Sequence, residues 1–248
     1  MIRLAWRNLL RNKARTWLTA GGIGFSVLLV SFAMSMQSGS YEIMIDSATR
    51  YFSGHGQVSD ASYIDQPRFE RTVPNAAALQ AELETIEGLA VMPRVREFAV
   101  VSMGEKSLGG MVMGVDFAAE TRFLDIYDNV IEGQLPSASD EALIGSSMAR
   151  NLGARVGDEL IVLGSGKQGA VAAAIFIITG IVETGQVELD RTLVFAPITG
   201  VAEAFYLQDE AHMLLLMVED LSTLSAIGAQ IETKLTAPLT LRTWQQRM

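Results

Sequence analysis

The sequence predicts an α+β protein in which an N-terminal transmembrane helix precedes a large extracytoplasmic domain. One uncharged apolar run lies near the N-terminus, and strand-like and helix-like segments alternate after residue 55. The order strand, helix, strand, helix, strand in the last third is typical of a compact α+β unit. We expect a hairpin-rich stretch, about 95–185, to be inserted into that unit, so that the domain of residues 41–248 consists of two mixed α/β subdomains.

The apolar run Trp17–Met36 is long enough to cross a membrane, which takes about 20 mostly apolar residues. All five basic residues of the first 41 precede it, and the first acidic residue, Glu42, follows it. Lysine and arginine stay on the cytoplasmic side. We therefore predict a transmembrane helix at 16–40 in the inner (plasma) membrane, with the N-terminus cytoplasmic and the main domain extracytoplasmic.

Residues 1–15 are predicted to form a cytoplasmic amphipathic helix. Arg3, Arg7 and Arg11 recur at every fourth residue and share one helical face. Such a helix lies at the interface with its cations near anionic lipid headgroups. A plain basic flank without a partner is the alternative interpretation.

The predicted span carries a face of small residues, Ala20, Gly24, Ser31 and Ser35, at spacings of 4, 7 and 4. Small residues let helices approach closely in lipid, so we predict packing against other membrane helices. The alternative is chance, because glycine and serine are common in membrane helices. A cleaved signal peptide at residues 1–36 is a further alternative, although its apolar core is about 7–15 residues long.

Composition limits the classes of function. The chain has 19 basic and 28 acidic residues, so removing the five N-terminal basic residues leaves 14 against 28, a net charge of −14 for residues 42–248. This acidity argues against a nucleic-acid partner, which requires a basic face. The absence of cysteine excludes zinc ribbons, iron–sulfur clusters and thiol catalysis.

Runs of β-branched and apolar residues bounded by glycine and polar residues predict the strands of the domain. These strands are Gln57–Ser59, Glu97–Met103, Leu108–Val115, Val156–Leu163, Val171–Val182, Leu193–Pro197, Met213–Val218 and Leu239–Leu241. Four helices are predicted from cap and stop residues. They run from the N-cap Asn75 to a stop at Gly88, over Ser146–Leu152 before Gly153, from the cap Thr199 to about Tyr206, and over Ser222–Leu235. Two hairpins turn at Gly104–Lys106 and at Gly164–Gly169.

No motif predicts catalysis. Gly164–Gly169 contains Lys167 but lacks the following hydroxyl residue and the glycine spacing of a phosphate-binding loop. His55 and His212 are far apart in sequence, and the chain has no Gly-x-Ser-x-Gly nucleophile turn and no metal-ligand spacing. Four acidic pairs fall at predicted element junctions, where turns and caps favour carboxylates; these pairs are Asp140-Glu141, Asp158-Glu159, Asp209-Glu210 and Glu219-Asp220. We therefore name no catalytic, cofactor-binding or metal-binding residue.

Five stretches in order resemble one family. They are the opening LAWRNLLRNKARTWLT, GMVMGVD at Gly110–Asp116, ALIGSSMARNLGARVGDELIVL at Ala142–Leu163, FIITGIVETGQVELDRTLVFAPI at Phe176–Ile198 and MLLLMVEDL at Met213–Leu221. The set resembles permease subunits of the MacB-like ATP-binding-cassette (ABC) transporters, which include the lipoprotein-releasing LolC and LolE proteins and the cell-division protein FtsX. Residues 41–248 would then be a MacB-like periplasmic core domain.

The resemblance implies a non-enzymatic permease subunit that transmits ATP-driven motion, with Ser38–Arg50 as a stalk. Its implied partners are a separate ABC ATPase subunit, a second identical or different permease subunit, membrane lipid and a periplasmic client, with lipoprotein release or export as the expected process. Such permeases have three more membrane helices, so we expect this chain, which ends at Met248, to be either a fragment or a single-pass protein. The alternatives are a membrane-anchored periplasmic binding or sensor domain, and a secreted hydrolase that uses His55 or His212.

Overall fold

The computed structural model describes residues 13–63, 66 and 68–246. The chain divides into two compact units, one ending at Ser47 and the other beginning at Ala48.

The described residues of the first unit lie in one long helix, α1, which spans Lys13–Ala48. In the described part of the chain, one helical stretch, Lys13–Gln37, is long and apolar enough to span a membrane; its mean hydropathy is 1.7, and none of it is buried. The large side chains from Trp17 to Met36 are exposed along this stretch. This is the apolar surface expected of a helix whose surroundings are lipid or other helices.

The second unit opens with a five-residue π-helical turn, Thr49–Ser53, and continues with short strands and helices. In chain order, these are β1 Gly56–Asp60, β2 Val73–Pro74, α2 Ala76–Leu83, β3 Leu89–Met103, β4 Lys106–Val115, α3 Phe117–Glu120, β5 Val130–Gly133, β6 Glu141–Gly145, α4 Ser146–Leu152, β7 Glu159–Ser165, β8 Val171–Val182, α5 Val187–Thr192, β9 Leu193–Pro197, α6 Ile198–Ala204, β10 Glu210–Ala211, β11 Met213–Val218, α7 Leu224–Lys234 and β12 Leu239–Thr243. This mixed α/β content confirms the predicted fold class.

A four-stranded antiparallel sheet in the order β12, β1, β11, β3 forms one part of this unit. Its strands and the helices α2 and α7 follow each other as β-α-β-β-α-β, the ferredoxin-like arrangement. The helices supply Leu83, Ile227 and Ile231 to a core shared with Val58 and Leu216 of the sheet. This part of the second unit is therefore a helix layer packed on one face of a sheet.

Six strands close into a barrel in the second part. The pairing runs β3–β4–β9–β6–β8–β7 and returns from β7 to β3, so each strand has a neighbour on both sides. Val100 shows the closure directly, because it lies opposite Gly109 of β4 and Leu163 of β7. Alternate residues such as Val101, Val162 and Phe176 fill the core, as the two-residue period of strands requires.

Strand β3 belongs to both parts. Its residues Leu89–Arg94 pair with β11, and its residues Val95–Met103 pair with β4. Arg94 is thus the last residue of β3 to pair with the four-stranded sheet. A third apolar cluster joins the two parts and includes Met92, Phe195 and Met217, with Tyr51 and Phe52 packed against it.

Most predicted elements of the domain are confirmed, including the strand Met213–Val218, the helix Ser146–Leu152 before Gly153, and both hairpins. Asn75 occupies the N-cap position of α2, as predicted, but it is left-handed with φ 50° and its side chain makes no capping bond. Instead, Asp209 Oδ1 accepts the Ala77 N–H at 2.9 Å. The predicted cap of the later helix is wrong. Pro197, not Thr199, precedes helix α6.

Candidate functional site

The chain enters the domain through the π-helical turn, and two aromatic residues of that turn are held by the core. The Phe52 carbonyl accepts a hydrogen bond from Arg94 Nη1 at 2.9 Å. The Phe52 ring centroid lies 5.1 Å from Arg94 Cζ, within range of a cation–π contact. Tyr51 Oη donates to the Thr184 carbonyl at 2.5 Å. The turn is therefore bonded to both β3 and the segment that follows β8.

Arg94 in turn forms a buried, bidentate ion pair with Glu120. Arg94 Nε lies 2.6 Å from Glu120 Oε1, and Arg94 Nη2 lies 2.8 Å from Glu120 Oε2. Tyr127 Oη donates a third hydrogen bond to Glu120 Oε2 at 2.5 Å. The side chains of Arg94 and Glu120 are 1% and 0% exposed. We call Tyr51, Phe52, Arg94, Glu120 and Tyr127 the junction cluster.

Burial and charge act in opposite directions on the groups of this cluster. Burial alone would lower the pKa of Arg94, but the Glu120 carboxylate and its hydrogen bonds raise it above the ordinary arginine value. Burial and the charge of Glu120 raise the pKa of Tyr127 well above that of a free tyrosine. Arg94 is therefore charged and Tyr127 neutral at physiological pH, and Tyr127 can act as a hydrogen-bond donor.

The ion pair and its hydrogen bonds fix the relative positions of the side chains in the junction cluster. A buried ion pair has to offset a large desolvation cost, so it needs this complete set of partners. Because Arg94 lies where β3 passes from the sheet to the barrel and Glu120 ends α3, the pair ties both parts of the domain to the entering turn.

The small residues predicted to pack against other helices, Ala20, Gly24, Ser31 and Ser35, all lie on α1 and are exposed. A Cβ built on Gly24 meets nothing within 4 Å. Their role as a packing face stays a prediction. Arg3, Arg7 and Arg11, the predicted cytoplasmic interface, lie outside the described residues.

Both histidines are buried and serve as hydrogen-bond acceptors for backbone N–H groups. His212 Nδ1 accepts from the Arg96 N–H at 3.0 Å, so its Nε2 carries the hydrogen and donates to the Phe69 carbonyl at 3.0 Å. Burial lowers the pKa of His212 to about 4. His55 Nδ1 accepts from the Val218 N–H at 3.1 Å. A hydrolytic site that uses either imidazole as a base receives no support from this geometry.

One carboxylate of each predicted acidic pair accepts a hydrogen bond from a backbone N–H. Asp209 accepts from Ala77, Asp158 from Arg155 at 2.8 Å and Asp220 from Ser222 at 2.8 Å. Glu141 accepts the N–H groups of residues 137 and 138, and these bonds lower its pKa. The structural interpretation of these pairs is confirmed.

The lysine of the glycine-rich hairpin turn is neutralised within the domain. Lys167 Nζ donates to both carboxylate oxygens of Glu210, at 2.7 and 2.8 Å. An open cavity of about 370 Å³ lies beside this pair and is lined by Lys167, Ala170, Tyr206 and Gln208. Among the described residues, no group of histidine and carboxylate side chains is placed to hold a metal ion.

Strands β4, β6, β7, β8 and β9, which form the barrel with β3, lie between β3 and β11 of the four-stranded sheet in chain order. The family model described as "MacB-like periplasmic core domain" matches residues 16–234. The chain belongs to the MacB-like periplasmic core domain family. This domain type occurs in permease-type proteins of ABC transporters, as the sequence resemblance implied. None of the curated proteins compared with the chain matches it.

Solved structures show the same fold at low sequence identity. The periplasmic region of MacB from Actinobacillus actinomycetemcomitans is 11% identical, with a TM-score of 0.56 over 77% of this chain and 90% of that one. The extracellular domain of the noncanonic ABC-type transporter YknZ from Gram-positive bacteria is also 11% identical, with a TM-score of 0.52 over 75% of this chain and 98% of that one. These likenesses support the MacB-like fold.

The sequence prediction did not identify the junction cluster. One signal was available, because Arg94 stands in the run Leu89–Val95, where its neighbours are apolar. A charged residue in a buried strand needs a partner, and that requirement predicts an acidic residue elsewhere in the chain. The identity of that partner, Glu120, is decided by the tertiary fold.

Proposed function

We propose that this chain is a membrane permease subunit of an ABC transporter and that it passes ATP-driven motion to its periplasmic domain. The junction cluster is the observation that carries this proposal. Helix α1 runs to Ala48, and the turn that follows it is bonded through Phe52 to the buried Arg94–Glu120 pair. Movement of the helix along its axis therefore reaches the core directly through the chain.

The cost of breaking the cluster makes it suitable for this role. Loss of one partner of a buried ion pair costs about 3–5 kcal/mol, far more than the roughly 0–1 kcal/mol of an exposed pair. A turn bonded to such a pair would transmit a displacement of the helix before the hydrogen bonds of the cluster break. The stalk of this hypothesis is Ser38–Arg50, whose backbone is helical to Ala48.

The membrane orientation that we propose has the N-terminus in the cytoplasm and residues 41–248 in the periplasm. It is supported by five basic residues before the apolar run and none in Thr16–Tyr41. A separate ABC ATPase subunit would then act on the cytoplasmic side together with a second permease subunit. The chain itself would bind no nucleotide.

Co-purification tests the proposal. The full-length chain, tagged and extracted in mild detergent from its own host, is expected to bring down an ABC ATPase subunit in a stoichiometric amount. A carboxyl-terminal tag on an unrelated single-span protein serves as the control. Purification without any ATPase subunit would refute the proposal and favour the alternative, a single-pass membrane-anchored binding or sensor domain.

Lipoprotein release is the client process that we propose within this class. Its support is the resemblance of Phe176–Ile198 to the lipoprotein-releasing branch. Depletion of the protein is expected to leave lipoproteins in the inner membrane, as measured by fractionation of the two membranes. An unchanged lipoprotein distribution, with an ATPase partner present, would leave the permease function standing and reject this client.

A further inference from the structure

One wall of the barrel exposes a continuous apolar surface on three neighbouring strands. We define the barrel-wall patch as Phe98 and Val100 of β3, Ile161 and Leu163 of β7, and Val171 and Ile175 of β8. All six side chains are exposed, and Phe98 and Val171 are 65% and 79% exposed. Soluble proteins rarely expose large contiguous apolar surfaces that have no function.

The strand register makes the patch continuous. Val100 lies directly opposite Leu163, and Ile161 lies directly opposite Ile175. Side chains at paired positions are about 5 Å apart and touch. Since the barrel is closed at these strands, the wall offers side chains and no free backbone edge to a partner.

Charge distinguishes this wall from the rest of the domain. Within the described segments 98–102, 161–165 and 171–177, the outward-facing positions that alternate with the core hold no ionisable side chain. Residues 42–248 nevertheless carry a net charge of −14, from 14 basic and 28 acidic residues. Two copies of the domain therefore repel each other in general, but the six residues of the patch are uncharged. The exposed Glu159, which lies opposite Ile177, borders the wall at one end.

The area of the patch fits a contact between two copies. Six exposed side chains of this size present on the order of 600 Å² of apolar surface, at the upper limit of the largest patch on a typical monomer. A standard interface buries about 800 Å² on each partner. The uncharged rim residues Ser102 and Ser165 supply part of the remainder.

We propose that the barrel-wall patch is an isologous interface through which two copies of this chain pair outside the membrane. The same surface on both copies then meets across a two-fold axis. The inference rests on the proposed function for the membrane anchor, which confines both copies to one surface and raises their effective concentration. A modest contact is sufficient under that condition.

Lysine substitutions test the patch in the full-length chain reconstituted in lipid nanodiscs. Leu163→Lys places a charge at the centre of the patch. Gly109→Lys does the same beside Val100 without removing any packed atom, because a Cβ on Gly109 meets nothing within 4 Å. We expect each variant to lower the association constant of the dimer at least tenfold. Val187→Lys, at an exposed apolar residue outside the patch, is the matched control and should leave the association constant unchanged.

Cysteine cross-linking identifies the occupant. The chain has no cysteine, so Val100→Cys and Leu163→Cys each introduce a unique thiol. Mild oxidation in native membranes is expected to give a disulfide-linked band of twice the 26.9 kDa chain for at least one of them, at five times the yield of Val187→Cys. Yields equal to the control for both, or a linked band that contains a different protein, would overturn the proposal, as would lysine variants that dimerise like the wild type.

The same preparations separate the two proposals. The lysine variants are expected to retain a co-purifying ATPase subunit. If the ATPase is retained and dimerisation is insensitive to Leu163→Lys, the interface is wrong and the permease function stands. If the wild-type chain brings down no ATPase, the permease function is wrong, whatever the lysine variants do to dimerisation.

Discussion

Glu120→Gln is the substitution that most directly tests the junction cluster. Glu120 and Arg94 are 0% and 1% exposed, and two hydrogen bonds of 2.6 and 2.8 Å join them. The variant removes the negative charge but leaves the guanidinium charged and buried, because arginine does not lose its proton in proteins. Removing one partner of such a pair costs about 3–5 kcal/mol, and we expect a loss of that size in the free energy of unfolding.

Thermal unfolding of the full-length chain in detergent measures this loss. For a domain of this size, each kcal/mol lowers the Tm by about 2–4 °C, so the expected decrease is about 6–20 °C. Glu188→Gln is the matched control, because Glu188 pairs with Arg191 at 3.5 Å on the surface, where its side chain is 83% exposed. An exposed pair contributes about 0–1 kcal/mol.

A double variant separates loss of charge pairing from loss of packing. Arg94→Met combined with Glu120→Leu removes both charges at similar volume, and such replacements of buried pairs are often neutral or stabilising. We expect the double variant to recover only part of the lost stability, because the Phe52 carbonyl also loses its hydrogen-bond donor, Arg94. A Glu120→Gln variant no less stable than Glu188→Gln would refute the reasoning, because the buried pair would then not hold the junction.

Three further predictions concern glycine, pH and orientation. Gly145→Ala should destabilise the domain by about 1–3 kcal/mol, because its Cβ would lie 2.3 Å from the Asp190 carbonyl oxygen. A Cβ on Gly109 meets nothing within 4 Å. The free energy of unfolding of Gly109→Ala, measured in denaturant, should therefore lie within about 1 kcal/mol of the wild-type value. Burial, with the charge of Glu70, raises the pKa of Glu97 from 4.5 to about 7; the native state then binds more protons than the unfolded state between those values, so stability falls as the pH rises through this window. Glu97→Gln should therefore melt above wild type at pH 8 and like it near pH 4.5, and Glu159→Gln should follow wild type; equal melting of Glu97→Gln and wild type at pH 8 would contradict this. In intact spheroplasts, Glu159→Cys should react with a membrane-impermeant maleimide and Lys13→Cys should not, and the reverse pattern would reject the proposed orientation.

The segments with strong periodicity and clear punctuation could be predicted from sequence. The strand Met213–Val218 is a fully apolar run, and the helix Ser146–Leu152 ends at Gly153, which has φ 79°. Both signals are local, because burial pattern and backbone conformation depend on neighbouring residues. The side-chain cap of α2 could not be predicted from local sequence, because the capping carboxylate belongs to Asp209, more than a hundred residues away in the chain.

The sequence by itself determined an apolar helix with basic residues before it, an α+β domain and a set of motifs sufficient to indicate the family. Only the tertiary structure decided that six strands close into a barrel, that Arg94 pairs with Glu120, and that the barrel-wall patch is continuous. The physical reason is the range of the interactions. Hydropathy and turn preferences act between near neighbours, whereas strand closure and buried ion pairs join residues far apart in the chain, whose contacts exist only after the core has packed.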